Sequence, residues 1–398
     1  MRGGGWLADL KGGNARVNEK MKAHEKKVVR IARQLRERKS TLPLSLKKKS
    51  VSHLVPKPED KRHTDEKLDI SDFDEIIYID KERCICIAEP GVTFEKIVNA
   101  TIKHGLVPLV VPELKTITIG GAVAGCSIES MSYMFGGFHD NCLKYEIVTA
   151  KGDVLECTPE NENRLLFQMV NGTFGTLGII TLLEFRLIAA KPFVKVIYEK
   201  YESLEDYMKT VDYFFRYNKG VTNVHPKSFV GRLMFGRLVN SDNTLKMANN
   251  LRKLLPPAII PITVDTFIPF SKIEEFMEWY KEEIDHFPLW CVPYKIVHKY
   301  EWISDEFFSK VKDKLFLDIA IYGMRRKDSE YYYRIIEKKL LEIGAIKTLI
   351  STNLYSEEEF WSVWNKMNYD AVKIKTDPDN IFRGLYEKTC RASRGLGR

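Results

Sequence analysis

Apolar positions recur at helical spacing near the start of the chain, where Val17, Met21, Val28, Ile31 and Leu35 form a stripe on an otherwise charged segment. That stripe predicts an amphipathic helix over 14–38, ended by Leu42-Pro43-Leu44. Period-two and continuous apolar runs follow: Ile76–Ile79, Cys84–Ala88, Lys144–Ala150, Val154–Cys157 and the run from Ile179. They predict strands from 68 to 187, broken by short helices at 93–104 and 160–170. Phe94, Ile97, Val98 and Ile102 mark the first of these, and Gly105 stops it. Past Lys191-Pro192 the pattern changes. Helices are predicted at 202–218, 243–254, 271–285, 304–314, 329–343 and 356–367. Strands lie between them at 193–199, 228–238, 262–268, 292–298, 315–322 and 346–350. Strands grouped with segregated helices make an α+β protein of two units.

At 398 residues the chain has room for two domains, and 44% hydrophobic with 29% charged residues is a globular composition. No apolar run approaches the roughly eighteen residues of a membrane span. The opening MRGGGWLADLKGG lacks the apolar core of a secretory signal, so a cytoplasmic protein is expected. Residues 1–50 carry fifteen Lys/Arg against four Asp/Glu, enough to leave the rest of a +8 chain slightly acidic. A basic amphipathic helix suits an anionic membrane surface, peripherally. It equally suits a helix packed on its own protein by the apolar stripe, the reading preferred here. The basic residues are not interleaved with aromatics, so no nucleic-acid partner is expected. Seven scattered cysteines without C-x-x-C spacing predict reduced thiols and no metal site.

Three segments carry candidate chemistry. Ala88-Glu89-Pro90-Gly91-Val92-Thr93 precedes the first short helix. PELKTITIGGAVAGCSIES (112–130) sets Gly120-Gly121 after a β-branched run and continues in small residues, which let backbone approach a bulky ligand. Asn171-Gly172-Thr173-Phe174-Gly175-Thr176-Leu177-Gly178 places three glycines before an apolar strand. Each alone reads as turn glycine; the ordered trio does not. No G-x-G-x-x-G follows a strand, so a Rossmann dinucleotide site is not predicted.

This order resembles the FAD-binding domain of the vanillyl-alcohol-oxidase superfamily, the PCMH-type fold. Val111-Pro112-Glu113-Leu114, TIGG, Gly125-Cys126-Ser127-Ile128-Glu129-Ser130, Tyr133–Gly136 and Tyr145–Val148 resemble the Delta(24)-sterol reductases and their microbial relatives. So do Phe287–Pro293, Asp318–Gly323 and Glu359-Phe360-Trp361. The likeness runs from about residue 40 to the end, with a shorter 205–260 region and no N-terminal membrane span.

The resemblance implies a basic helix region (1–39), a PCMH-type FAD domain (40–190), an α+β cap over the flavin (191–370) and a C-terminal return (371–398). It implies noncovalent FAD. The FAD-contacting positions would be Ser52 and His53 of the 46–58 loop, which has lysines and hydroxyls where glycines are usual. Pro112, Glu113, Thr116, Thr118, Ile119, Gly120, Gly121, Gly125, Ser127, Ile128 and Glu129 would follow, then Gly175, Gly178, Ile179 and Ile180. The implied reaction is reduction of a C=C bond in an apolar isoprenoid or sterol-like substrate, with NAD(P)H or another electron donor. The alternative is oxidation of an alcohol, hydroxy acid or sugar.

Reducing an isolated alkene needs a positioned acid. Glu129, His139 and Tyr322 are the candidates, each with a structural reading beside it: a turn-capping carboxylate, a surface-turn histidine and a core aromatic. Tyr294, His298 and Arg326 also lie on or just beyond cap strands.

Overall fold

Strand alternation divides the apolar residues between two sheets. The computed structural model describes residues 15–49, 60–193, 199–217, 263–287, 289–322 and 329–397. The predicted elements at 228–238 and 243–254, most of 193–199, and the candidates Ser52, His53 and Arg326 lie outside them.

In chain order, β1 (Leu44–Lys47) pairs in parallel with β2 (Glu66–Asp69). Strands β3 (Ile76–Asp80), β4 (Ile85–Ala88), β5 (Leu106–Pro108), β6 (Cys142–Val148), β7 (Val154–Cys157) and β8 (Ile179–Ala189) build a six-stranded sheet. Its order is β3-β4-β8-β6-β7, with β5 on the far end of β8. The strand β8 is central, and its first seven residues, Ile179 to Phe185, are all buried.

The second sheet joins β9 (Thr263–Pro269), β10 (Trp290–Lys295), β11 (Leu315–Tyr322) and β12 (Ile346–Lys347) in the antiparallel order β10-β11-β9-β12. Successive side chains point to opposite faces. Val264, Ile268, Leu317, Ile319 and Ile321 pack on Phe276, Ile336 and Leu340 of the Ile273–Glu283 and Ser329–Ile343 helices. Phe267, Tyr294 and Phe316 take the other face and join the core of the first sheet. This period-two division leaves a seam between the sheets. The mixed helices and antiparallel sheets make the predicted α+β fold.

The N-terminal helix, Ala15–Arg36, lies on the outer face of the first sheet. Val28, Ile31 and Leu35 bury against Phe73, Val148 and Ile179, and Met21 against Ile87 and Leu182. Its apolar stripe is thus spent on its own protein, while Lys22, Lys26 and Arg33 face outward. Among the described residues no helix is long and apolar enough to cross a membrane. The C-terminal segment returns to the first sheet. Buried Lys373 donates to the carbonyls of Thr176 and Phe382 at 2.9 Å each, and Arg383 pairs with Asp65 at 2.7 Å.

Candidate active site

The three glycine-bearing segments are stitched together by backbone. Gly120 N–H donates to Pro90 O and Ile119 N–H to Val92 O, each at 2.9 Å. Gly172 N–H donates to Val123 O and Phe174 N–H to Ala124 O, each at 3.1 Å. TIGGAVA is not a loop, as its glycines suggested, but a helix over Ile119–Ala124. Thr118 caps it, its hydroxyl accepting Gly121 N–H at 3.2 Å. Gly120 is required by packing, since a Cβ there would stand 2.5 Å from Pro90 Cβ. Cys126 and Phe174 hold left-handed backbone, φ +52° and +53°. Strain of that kind in non-glycine residues gathers at functional sites.

These loops form one wall of a cleft in the seam, and the second sheet forms the other. It encloses about 840 Å³ of space not filled by protein atoms, part of it open to solvent. Cys126, Ile128 and Phe174 line it from one side; Phe267, Phe316 and Trp364 line it from the other. Its polar groups include His139, Tyr294 and Tyr300.

Two clusters of ionisable groups flank the cleft. Burial, then the charge of Glu113, pushes the Glu129 carboxyl up to about 7, although it accepts the N–H of Ser130 at 3.0 Å. Asp318 on β11 is buried with Oδ1 unbonded among the described residues. Burial, then Asp265 and Glu129, hold it far above the carboxylate range. Glu129 therefore titrates near neutrality, but it sits beside Glu113 and Asp318 while its neighbour Ile128 lines the cleft.

The second cluster centres on Asp140, whose side chain is fully enclosed. Its Oδ2 accepts Gly137 N–H at 2.7 Å and Tyr300 Oη–H at 2.9 Å; Tyr300 bonds in turn to Tyr294 Oη. Nε2 of His298 lies 3.1 Å from Oδ1, and Nε2 of His139 lies 3.5 Å from it. Gly136, at φ +71°, permits this turn: a Cβ there would stand 2.3 Å from Asp140 Oδ2. Asp140 and Tyr300 escaped the sequence reading. The only signal was GGFHDN, where the histidine drew attention and its acidic neighbour did not.

Residues 24–158 match the family of FAD binding domains. The chain carries a PCMH-type FAD-binding domain. Over 80% of its length it is 23% identical to human Delta(24)-sterol reductase, covering 77% of that protein. Against the pea Delta(24)-sterol reductase it is 21% identical over 98% of the chain and 88% of the relative. Arabidopsis cytokinin dehydrogenase 5 matches at 31% identity over 31% of the chain and 23% of that protein. These likenesses place the chain among FAD-dependent oxidoreductases.

The residues of the flavin domain fit the cofactor. Lys388 donates to Phe174 O at 2.6 Å, against the 172–178 loop. Burial, then the neighbouring charges of Arg62 and Lys48, push it down to about 7. Lys388 against a glycine-bearing loop, with the charges of Arg62 and Lys48 near it, suits a pyrophosphate. Lys388, Lys48 and Arg62 would hold that group. Of the other FAD candidates, Gly125 and Ile128 line the cleft, and a Cβ at Gly175 would meet Leu46 and the Gly178 carbonyl at 3.9 Å, ordinary contact. Pro112 is buried, Glu113 and Thr116 are exposed, and Gly121 is partly open. Ser127 N–H bonds to Ala122 O, and its carbonyl accepts Phe138 N–H. A Cβ at Gly178 would stand 2.7 Å from Ile147 Cγ2, so the position has no room for one, while Ile179 and Ile180 are core residues of β8 paired with β6. Tyr322 ends β11 opposite Thr263, and its side chain lies outside the described residues.

The Lys388 site gives a pH prediction. Binding an anion requires Lys388 charged, and above about pH 7 the free protein must first take up that proton. FAD affinity therefore weakens as pH rises through 7, by up to about tenfold per unit. Lys388→Gln weakens binding at pH 6 and flattens the dependence. Quenching of flavin fluorescence by apoprotein measures both.

Proposed function

We propose that the protein reduces a carbon–carbon double bond in an apolar, isoprenoid- or sterol-like substrate, with NAD(P)H as electron source. The cleft carries this reading. Its walls are mostly aromatic and aliphatic, with a few polar groups, suited to bury a hydrocarbon skeleton. The Delta(24)-sterol reductases, similar over most of the chain, point the same way.

FAD, once reduced, supplies hydride. The chain's own residues supply the rest. The apolar walls orient the alkene and exclude water, and a protein acid delivers a proton to the second alkene carbon. FAD is held noncovalently. The thiol at the cleft, Cys126, is pushed far up by burial and then by Asp140's charge, so it stays protonated and a poor nucleophile.

Acid precipitation of the yellow protein should leave the colour in the supernatant. Anaerobic NADPH should bleach the flavin, and a panel of prenyl lipids and sterols bearing trisubstituted alkenes should restore it. Bleaching by a hydroxy acid or sugar, with no alkene able to restore colour, would replace this reading with alcohol oxidation.

A further inference from the structure

We propose that Tyr294 is the proton donor to the substrate alkene, and that Tyr300, Asp140 and His298 form the relay that resupplies it from solvent. The inference rests on the reductase reading above and names the acid that reading leaves open.

Hydrogen bonds run from Tyr294 through Tyr300 to Asp140 Oδ2, and an ion-pair contact between His298 and Asp140 Oδ1 links that chain to the surface. Tyr294 and Tyr300 both line the cleft and both are buried, at 7% and 1% exposure. Their hydroxyls are bonded to each other; with the Tyr300 proton directed at Asp140, Tyr294 is the donor in the resting state. Tyr300 reaches Asp140 Oδ2 at 2.9 Å. His298 meets Asp140 Oδ1 at 3.1 Å, and its side chain is 42% exposed, open to water. The line thus begins at the surface, crosses an enclosed carboxylate and ends on a phenol at an apolar cavity. Asp140 also closes the turn at Gly137, but two hydroxyls beside it in a core are costly unless each is bonded.

The groups around the relay set its charge. Its bond to Asp140, against burial and with help from the Lys299 carbonyl and Glu301, raises His298 above the ordinary histidine range. Burial alone would raise Asp140, but His139 and His298 outweigh it and keep the carboxylate ionised. Burial lowers His139, and both its nitrogens are unbonded among the described residues. Cys126, also facing Asp140, stays a thiol. The mobile proton therefore resides on His298.

The balance is simple. The alkene π bond opens; one carbon takes hydride, whose two electrons originate in NAD(P)H. The other carbon forms its C–H bond as the Tyr294 O–H bond breaks. His298 first passes its proton to the Asp140 carboxylate, the protonated Asp140 passes one to Tyr300, and Tyr300 returns one to Tyr294. Water then reprotonates His298.

The test uses the FAD-loaded protein and four variants: Tyr294→Phe, Asp140→Asn, His298→Gln and Glu129→Gln. After anaerobic reduction, alkene-driven reoxidation in Tyr294→Phe should slow by about 10²- to 10⁴-fold, far more than reduction by NADPH. His298→Gln should slow it less and recover with added imidazole. The wild-type rate should fall as pH rises through the raised His298 value, and His298→Gln should lose that limb. A readout independent of turnover is the proton NMR titration of His298 in resting protein, which Asp140→Asn should move down. If no alkene reoxidises the wild type, the reductase reading fails. If alkenes do and Tyr294→Phe keeps the wild-type rate, the relay is wrong; a slow Glu129→Gln beside it would then name Glu129 as the donor. An unmoved His298 titration in Asp140→Asn would likewise overturn the relay.

Discussion

Removing residues 1–38 should abolish soluble, FAD-loaded protein. In sequence the N-terminal helix carries none of the cofactor motifs and reads as accessory. In the fold its His24 is buried between two carboxylates, Nδ1 and Nε2 each 2.9 Å from Glu89 and Glu146. Lys27 adds a second cation on Glu89 at 2.8 Å. Glu89 has no exposed side-chain surface, and it also accepts Glu75 N–H beside the Pro90 turn that supports Gly120. Truncation would strip both cations from a buried charge and open the Phe73, Val148 and Ile179 surface to water. His24→Leu isolates the electrostatic part, at a cost of about 3–5 kcal/mol for breaking a buried pair. The pH dependence has a definite sign. Burial alone would lower His24, but the bonds to Glu146 and Glu89 lift it to about 9. Its contribution is therefore complete below about pH 6.5 and is lost as pH rises through 9. Denaturant unfolding of wild type and His24→Leu at pH 6 and pH 9.5 should show the difference shrinking. An equal gap at both values would remove the charged pair from the account.

Lys347→Met should cost about 3–5 kcal/mol. Lys347 on β12 and Glu337 on the Ser329–Ile343 helix form an ion pair at 2.8 Å with neither side chain exposed. Lys347 also donates to Thr352 O and lies 5.4 Å over the Tyr333 ring, while Glu337 accepts Leu354 N–H at 2.8 Å. The pair ties the edge strand of the second sheet to the helix behind it, and Lys347 lines the cleft. Removing Lys347 leaves the buried Glu337 with Arg334, 3.7 Å away, in place of its closer partner. The double variant Lys347→Met/Glu337→Leu should recover most of the loss, since isosteric apolar pairs often replace buried ion pairs at little cost. Urea unfolding of the single and double variants checks this; additive losses would mean that the two residues act separately.

Much of the fold was legible because it rests on local rules. Period-two runs gave β3, β4, β6, β7 and β8, and helical spacing gave the N-terminal stripe, the Phe94–Thr101 helix and the cap helices near 273–283 and 329–343. The helices Ile119–Ala124 and Lys366–Thr376 were missed. Two glycines argue against the first, and only Thr118 capping and packing on Pro90 stabilise it.

For the site, the three small-residue segments declared themselves in sequence because close backbone approach leaves only small side chains as an option. Their meeting, through Pro90, Val92, Val123 and Ala124 carbonyls, was decided by tertiary structure. So was the assembly of Asp140, His298, Tyr300 and Tyr294. Asp140 lies some 150 residues before the others in the chain, and no local pattern couples a turn after a short helix to residues on and just past a strand of another sheet. Burial is also tertiary. A histidine, a lysine and a glutamate carry ordinary proton affinities as letters. Only the low-dielectric surroundings and charged neighbours of His24, Lys388 and Glu129 move them to about 9, about 7 and about 7. The sequence by itself determined which segments must lie close to a ligand and which faces must be covered; the fold decided which charges share a dry space.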